Sequence, residues 1–315
     1  MSFDAGFLLG LSMGGGGDEP EEEWSPPADW PDVPEPGDYE ICLLVVTTSA
    51  PQTIFCTTTD PQTANTGVGS LVIDWGDGTV KEYSNGEWSN IELYHSYAAT
   101  GKYIIKITTT STSCFLQAIS FGTLLIAKLG KEIIINNGSK SDTQRAFYNQ
   151  YSLQYIKLGG KGGLARSDMF NGDYALQKVD IAIPPTIIPP NTFTYTDSLR
   201  KFDFSEVITV ETQGVYYSGF NEIYMPKCQS VNGIGICSNA SLRKVNLPLC
   251  TIVAGMGQNY QLKTVNLPLC TSLASLSSNR ALTELIVATN CTFGTNCFSG
   301  CYNLIPHPDG TDIRK

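Results

Sequence analysis

The sequence predicts a mainly β protein, a β-sandwich followed by a solenoid that contributes one short parallel strand per turn. Three observations predict it. From Asp38 onward, short runs rich in Val, Ile, Thr and Tyr alternate with turn residues, the texture of strands. From Leu153 onward, a leading apolar residue recurs every 20 to 23 positions, followed by apolar residues three and five positions later. No segment approaches the roughly 20 apolar residues that a membrane-spanning helix needs.

The chain opens with "MSFDAGFLLGLSMGGGG", whose Phe3, Phe7, Leu8, Leu9 and Leu11 form a short apolar peptide over residues 1–17. It lacks a basic start, carries Asp4 and is broken by Gly10, so it reads as an anchoring peptide or a frayed end rather than a secretory leader. Residues 18–37 are acidic and proline-rich and read as a linker. Residues 1–37 hold nine carboxylates and no Lys or Arg, whereas the rest of the chain carries 21 acidic and 20 basic residues. The net charge of −10 thus belongs to the tail, and the nearly neutral body offers no basic patch for nucleic acid.

Residues 38–112 supply the sandwich. Its strands are expected in "YEICLLVVTT", "TIFCTTT", "SLVIDWGDGTVKEY" and "HSYAATGKYIIKITTT", with a tight turn at Gly76-Asp77-Gly78. The pair "IDWGDGT" at 73–79 and "HSYAATGKYIIKIT" at 95–108 resembles the polycystic-kidney-disease (PKD) type of immunoglobulin-like sandwich, although the first motif is one residue short of that family's usual form. The resemblance implies a spacer or a contact module for proteins or carbohydrates.

Residues 113–140 read as a transition that caps the solenoid, and 141–315 as the solenoid itself. Its leads are Leu153, Leu176, Leu199, Phe220, Leu242, Leu262, Leu282 and Leu304. Six positions before each lies Phe147, Phe170, Phe193, Gly214, Ile236, Met256, Leu276 or Phe298, a second column with the same period. No single turn can bury its apolar face, so the stack is the folding unit. Cys228, Cys250 and Cys270 each follow a lead by eight positions, where leucine-rich repeats place Asn or Cys inside the turn. They read as buried, reduced thiols, and Cys297 and Cys301 as packing residues of the last turn.

"CFSGCYNL" at 297–304 and "MFNGDYAL" at 169–176 resemble the BspA-like leucine-rich repeats over residues 140–310. The resemblance implies binding to proteins or glycans, as in bacterial surface adhesins, certain protist proteins and virion proteins of phages. Adhesive repeats without a recognisable leader suit a phage virion component of tail- or head-fibre type, anchored to other virion subunits by the N-terminal peptide and contacting a host surface protein or glycan. A bacterial cell-surface adhesin and an intracellular protein-binding scaffold stay open as alternatives, as does homo-oligomerisation.

Catalytic chemistry finds no cluster. The two histidines are His95, in a sandwich strand, and His307, near the C-terminus. "GGKGG" at 159–163 lacks the spacing of a phosphate loop. Asp74 and Asp77 fall short of the 6 to 8 oxygens of a Ca²⁺ site. No enzyme activity, cofactor or metal is expected, nor insertion into a membrane. On each solenoid strand the residues two and four after the lead point outward. They define a candidate ligand face: Tyr155 and Lys157, Lys178 and Asp180, Lys201 and Asp203, Glu222 and Tyr224, Lys244 and Asn246, then Thr264 and Asn266.

Overall fold

The computed structural model describes residues 24–48, 52–59, 70–84, 91–109, 115–118, 123–135, 147–160, 164 and 167–304. The proposed anchor peptide, His307 and the last three residues of "GGKGG", 161–163, lie outside them. The described chain is strand and turn throughout, with no helix among these residues.

The N-terminal region contains β1 (Glu40–Thr47), β2 (Gln52–Thr59), β3 (Leu71–Asp74), β4 (Val80–Tyr83), β5 (Ile91–Tyr97), β6 (Gly101–Thr109), β7 (Phe115–Ala118), β8 (Leu124–Leu129) and β9 (Ile134–Ile135). The first solenoid turns add β10 (Tyr155–Leu158) and β11 (Lys178–Ile181). Seven of these strands form one sheet in the order β11-β10-β8-β1-β6-β3-β4, and four form another, β5-β2-β7-β9. β8 joins the two regions, because it pairs antiparallel with β1 on one side and parallel with β10 on the other. The segment expected as a transition therefore provides the strand that both regions share.

β1 reads "EICLLVVT", an almost unbroken apolar run, and both of its faces are covered. Ile41, Leu43 and Val45 face the main core with Ile73, Trp75, Ile105 and Ile107. Cys42 and Leu44 face the other way, into a smaller cluster with Val33, Leu125 and Ile126. Val33 belongs to the stretch expected to be a linker, and there the expectation fails. From Trp24 onward the chain is a strap laid across the outer face of the seven-stranded sheet. Trp24 and Trp30 pack on its apolar cluster, Asp29 pairs with Lys102, and Glu35 bridges Lys128 at 2.8 Å and Lys157 at 2.6 Å. Those two ammonium groups hold the Glu35 carboxyl below its ordinary value. Proline and carboxylates made the stretch look solvated, but two indoles and a valine suffice to hold it down.

The tight turn forms as the residues demand. Asp74 accepts from the Gly76 N–H at 2.9 Å and Asp77 from the Thr79 N–H at 3.0 Å, so both carboxylates close the turn. Gly76 has φ +79°, and a Cβ there would stand 2.4 Å from the Ile104 carbonyl oxygen. His95 bonds Asp77 at 2.7 Å and stacks on Trp75, a structural part. Tyr97 donates its hydroxyl to the Trp75 carbonyl at 2.6 Å, tying β5 to the turn after β3.

Past β11 the solenoid is built from parallel ladders. One joins Glu222–Tyr224, Lys244–Asn246, Thr264–Leu267 and Glu284–Val287. A second joins Ile187–Ile188, Thr209–Val210, Ser230–Val231, Ile252–Val253, Ser272–Leu273 and Thr292–Phe293. The leads Leu153 through Leu282 are all fully buried, as are most residues three and five positions on. Each such side chain contributes about 1.5–3 kcal/mol through burial.

Two details depart from expectation. The strand expected at Lys201–Asp203 is absent, so the first ladder is interrupted between β11 and Glu222. Phe202 and Phe204 occupy positions that Val, Ile or Leu fill elsewhere, and they wedge into a group of edge-to-face rings with Phe193 and Phe220. The second column runs through Val215, not Gly214. Val215 is fully buried and pairs with Ile236, so the column Phe147, Phe170, Phe193, Val215, Ile236, Met256, Leu276, Phe298 has no gap.

Candidate binding surface

Three residues after that column lies a third one: Gln150, Asp173, Thr196, Ser218, Asn239, Asn259, Asn279 and Cys301, all buried. Polar groups in a core need partners, and these have them. Asn259 Oδ1 accepts the Asn239 backbone N–H at 2.9 Å, while its Nδ2 donates to the Ile236 carbonyl at 3.0 Å and the Met256 carbonyl at 3.2 Å. Asn279 repeats the pattern below it and Asn239 above it, the latter serving the Ser218 N–H at 2.8 Å. The result is an asparagine ladder that stitches successive turns. The exception is Asp173. Its Oδ1 accepts the Gln150 N–H at 2.7 Å, but its Oδ2 has no partner. Complete burial pushes the Asp173 carboxyl well above its ordinary value, the Gln150 N–H opposing only in part.

The predicted cysteine ladder is fully buried, each thiol donating to a carbonyl two residues on: Cys228 to Ser230, Cys250 to Ile252 and Cys270 to Ser272. Burial pushes the Cys270 thiol up to about 12 and Cys237 to about 11. Cys237 and Cys270 are therefore poor nucleophiles, whereas the neighbouring Cys250 thiol holds Cys228 below its ordinary value.

The predicted ligand face divides in two. Tyr155 stacks on Trp24 and Lys157 is paired with Glu35, so the strap covers both. Tyr155 also donates its hydroxyl to Asp180 at 2.8 Å, and Lys178 lies 3.8 Å from Asp180. Further along, Lys201, Asp203, Glu222, Tyr224 and Lys244 are exposed, while Asn266 donates to Asn246 at 2.9 Å. This face is a mixture of charges arranged in rows, without a focus among the exposed members.

A surface that the sequence reading missed lies at one corner of the solenoid. Two residues after the buried column, the backbone of every turn enters the left-handed region: Asn149, Gly172, Tyr195, Tyr217, Ser238, Gln258, Ser278 and Gly300, with φ from 47 to 85°. Glycine pays nothing at such a corner and Asn little, whereas other side chains cost about 1–2 kcal/mol there. Two turns nevertheless use tyrosine. Tyr195 and Tyr217 stack at 5.2 Å, and the stack continues through Tyr174 and Tyr151 at 6.0 and 5.9 Å. The four rings are 39–55% exposed. Because their faces meet one another, they present edges and hydroxyls to solvent. Burial, then the neighbouring Tyr195, holds the Tyr174 phenol above its ordinary value, so it remains a neutral donor.

Comparison with known proteins identifies the repeat. The model of the BspA type leucine rich repeat region matches in six copies, over residues 128–240 and 188–305, more than half of the chain. The chain belongs to the BspA-type leucine-rich-repeat family. BspA-type repeats are typical of surface, adhesion and protein-binding proteins, and the solenoid is of a kind that ordinarily serves as a binding scaffold. No curated protein matches the chain. Among solved structures, the leucine-rich-repeat protein of T. pallidum is similar at 20% identity over 61% of this chain and 83% of its own, with a TM-score of 0.36. That is too distant a likeness to carry an argument.

Proposed function

We propose that this BspA-type protein is a non-enzymatic adhesin whose corner of stacked tyrosines is its main contact with a protein partner. The observation that carries this is the stack of Tyr151, Tyr174, Tyr195 and Tyr217, four partly exposed rings in contact along one edge of the solenoid, two of them at left-handed positions. Rigid, amphipathic tyrosines give large contact area at low entropic cost and are enriched in recognition surfaces. The outward charged residues Lys201, Asp203, Glu222 and Lys244, with Tyr224 among them, form a second, polar face suited to orienting a partner.

Within that reading, the protein is a phage virion component of fibre type, its N-terminal domain a PKD-like spacer and its peptide Phe3 to Leu11 the attachment to other virion subunits. The architecture supports it: a docked strap, a spacer and a rigid recognition stack in that order. Mass spectrometry of purified particles from a producing strain should find the chain, and its absence sinks the virion reading. Deleting residues 1–17 should abolish incorporation into particles. For adhesion, Tyr195→Asn should leave the fold intact but lower retention of the protein on host cells at least tenfold, and unchanged retention would remove the tyrosine corner from consideration.

A further inference from the structure

At its C-terminal end the inner wall of the solenoid is half open. Leu285, Val287 and Phe293 occupy the places that Val265, Leu267 and Leu273 hold one turn earlier. The earlier three are sealed in the core, whereas the later three are only partly buried, and Ile286 on the outer side is 44% exposed. We propose that this end is a self-association surface, on which the strand Glu284–Val287 pairs antiparallel with the same strand of a second copy about a two-fold axis at Ile286. The inference goes beyond the adhesive reading and does not rest on it.

The ladder has a direction. The second residue after a lead sends its N–H back to the turn before, Thr264 to the Arg243 carbonyl at 3.3 Å and Glu284 to the Lys263 carbonyl at 3.1 Å. The fifth sends its N–H forward, Met225 to the Asn246 carbonyl at 3.2 Å and Leu247 to the Asn266 carbonyl at 3.0 Å. Backbone groups alternate sides along a strand, so the fourth residue shares the direction of the second, and Leu285 and Val287 aim both N–H and C=O forward. Among the described residues, Glu284–Val287 is the last strand of its ladder. It is an edge of the kind that pairs with another chain.

The chain's own next turn is barred from that edge by its sequence. Leu304 is the next lead, and the second and fourth residues after it are Pro306 and Pro308. Those are the positions that send N–H groups back, and proline has none. A second copy has the donors. With the axis at Ile286, Leu285 and Val287 of one copy exchange backbone hydrogen bonds with Val287 and Leu285 of the other, and on the inner side the same residues extend the core across the joint. The two Ile286 side chains face each other in a non-hydrogen-bonded pair, where side chains stand closest. Glu284 faces Ala288, which keeps the two carboxylates apart. Moving the axis to Leu285 would set Glu284 against Ile286, and moving it to Val287 would carry Leu285 past the end of the strand, so one register is selected.

The test is sedimentation equilibrium of the full chain. The wild type should form a dimer, and Ile286→Lys, an exposed substitution that sets two ammonium groups face to face, should weaken it at least about tenfold while the circular dichroism spectrum stays that of the wild type. A second variant reads the register. A non-hydrogen-bonded pair brings Cα atoms to about 4.5 Å, within the range of a disulfide, so oxidised glutathione should link Ile286→Cys into a covalent dimer through residue 286. A wild-type chain that stays monomeric at concentrations on the order of 100 μM, a dimer unmoved by Ile286→Lys, or an Ile286→Cys variant that fails to cross-link would each overturn the proposal.

Discussion

The two halves of the solenoid solve one packing problem in different ways. From Phe147 to Phe220 the turns step by 21 to 23 residues, the buried column is mostly phenylalanine, and the polar column is a mixture of Gln150, Asp173, Thr196 and Ser218. From Ile236 to Leu282 the step is 20 residues, the buried column is aliphatic or Met, and the polar column is Asn239, Asn259, Asn279. A ladder of identical amides needs equal turns, since each side chain must reach the next backbone N–H at the same place. In the irregular half the rungs are not alike: Asp173 accepts the Gln150 N–H of the preceding turn at 2.7 Å, whereas Thr196 donates within its own turn to the Phe193 carbonyl at 3.0 Å. The regular half is thus stitched from turn to turn. The irregular half is free to carry bulky rings on both sides of its wall, buried phenylalanines within and exposed tyrosines without, and in the second half the exposed Tyr260 meets Arg280 rather than another tyrosine.

The sharpest way to break this contrast is to cut a rung from each half. Asn259→Leu strands the Asn239 N–H and the Ile236 carbonyl, and leaves the Met256 carbonyl to Asn279 alone, so it should cost about 3 kcal/mol in urea unfolding. Thr196→Val removes one donor and should cost about 1 kcal/mol. Equal losses would mean that the ladder is no more cooperative than the local bonds.

A second experiment moves the regular solution into the irregular half. Asp173→Asn would offer an amide to the Phe147 and Phe170 carbonyls, the counterparts of those that Asn259 serves, and should raise stability at neutral pH by about 1–3 kcal/mol. The pH dependence fixes the sign. The folded-state value of Asp173 lies above the ordinary 3.8, so the wild-type contribution is fully present below that pH and is lost as pH rises toward the folded value. The advantage of the Asn variant should therefore shrink toward zero in acid, which unfolding midpoints taken across pH would show. A variant that is no more stable at neutral pH would mean that Asp173 has found a donor.

The smallest effects concern the outer corner and the thiols. Tyr195→Asn relieves a left-handed tyrosine while giving up its stacking, so stability should change by less than about 1 kcal/mol even as binding falls. Among the cysteines of known burial, alkylation in the native state should reach the half-buried Cys291 first and spare Cys228, Cys250 and Cys270 until the protein unfolds, a difference that peptide mapping reads directly.

The contrast also explains what could be read from the sequence. The leads, the phenylalanines and the Cys228–Cys270 ladder are legible because a fixed period and a single residue type mark them. Gly214 was mistaken for a column member because an extra residue before Val215 is compensated only in the next step. The asparagine rungs share a spacing of 20, but a search for apolar periodicity passes over them. The tyrosine corner hides for a geometric reason. Tyr151 and Tyr174 follow the buried column by four residues and Tyr195 and Tyr217 by two, so rings that touch in space have no common register in the sequence. The strap was hidden by composition, since nothing in a proline-rich acidic run announces that Glu35 will find two lysines 93 and 122 residues away.

One consequence of β8 reaches beyond packing. A strand bonded on both edges to different regions works as a welded joint rather than a hinge, so a bend between the N-terminal sheet and the solenoid would have to tear a row of backbone hydrogen bonds. A scaffold built this way cannot swing about its N-terminal region as a tethered one does, so every surface of the solenoid is held at a fixed bearing to that sheet.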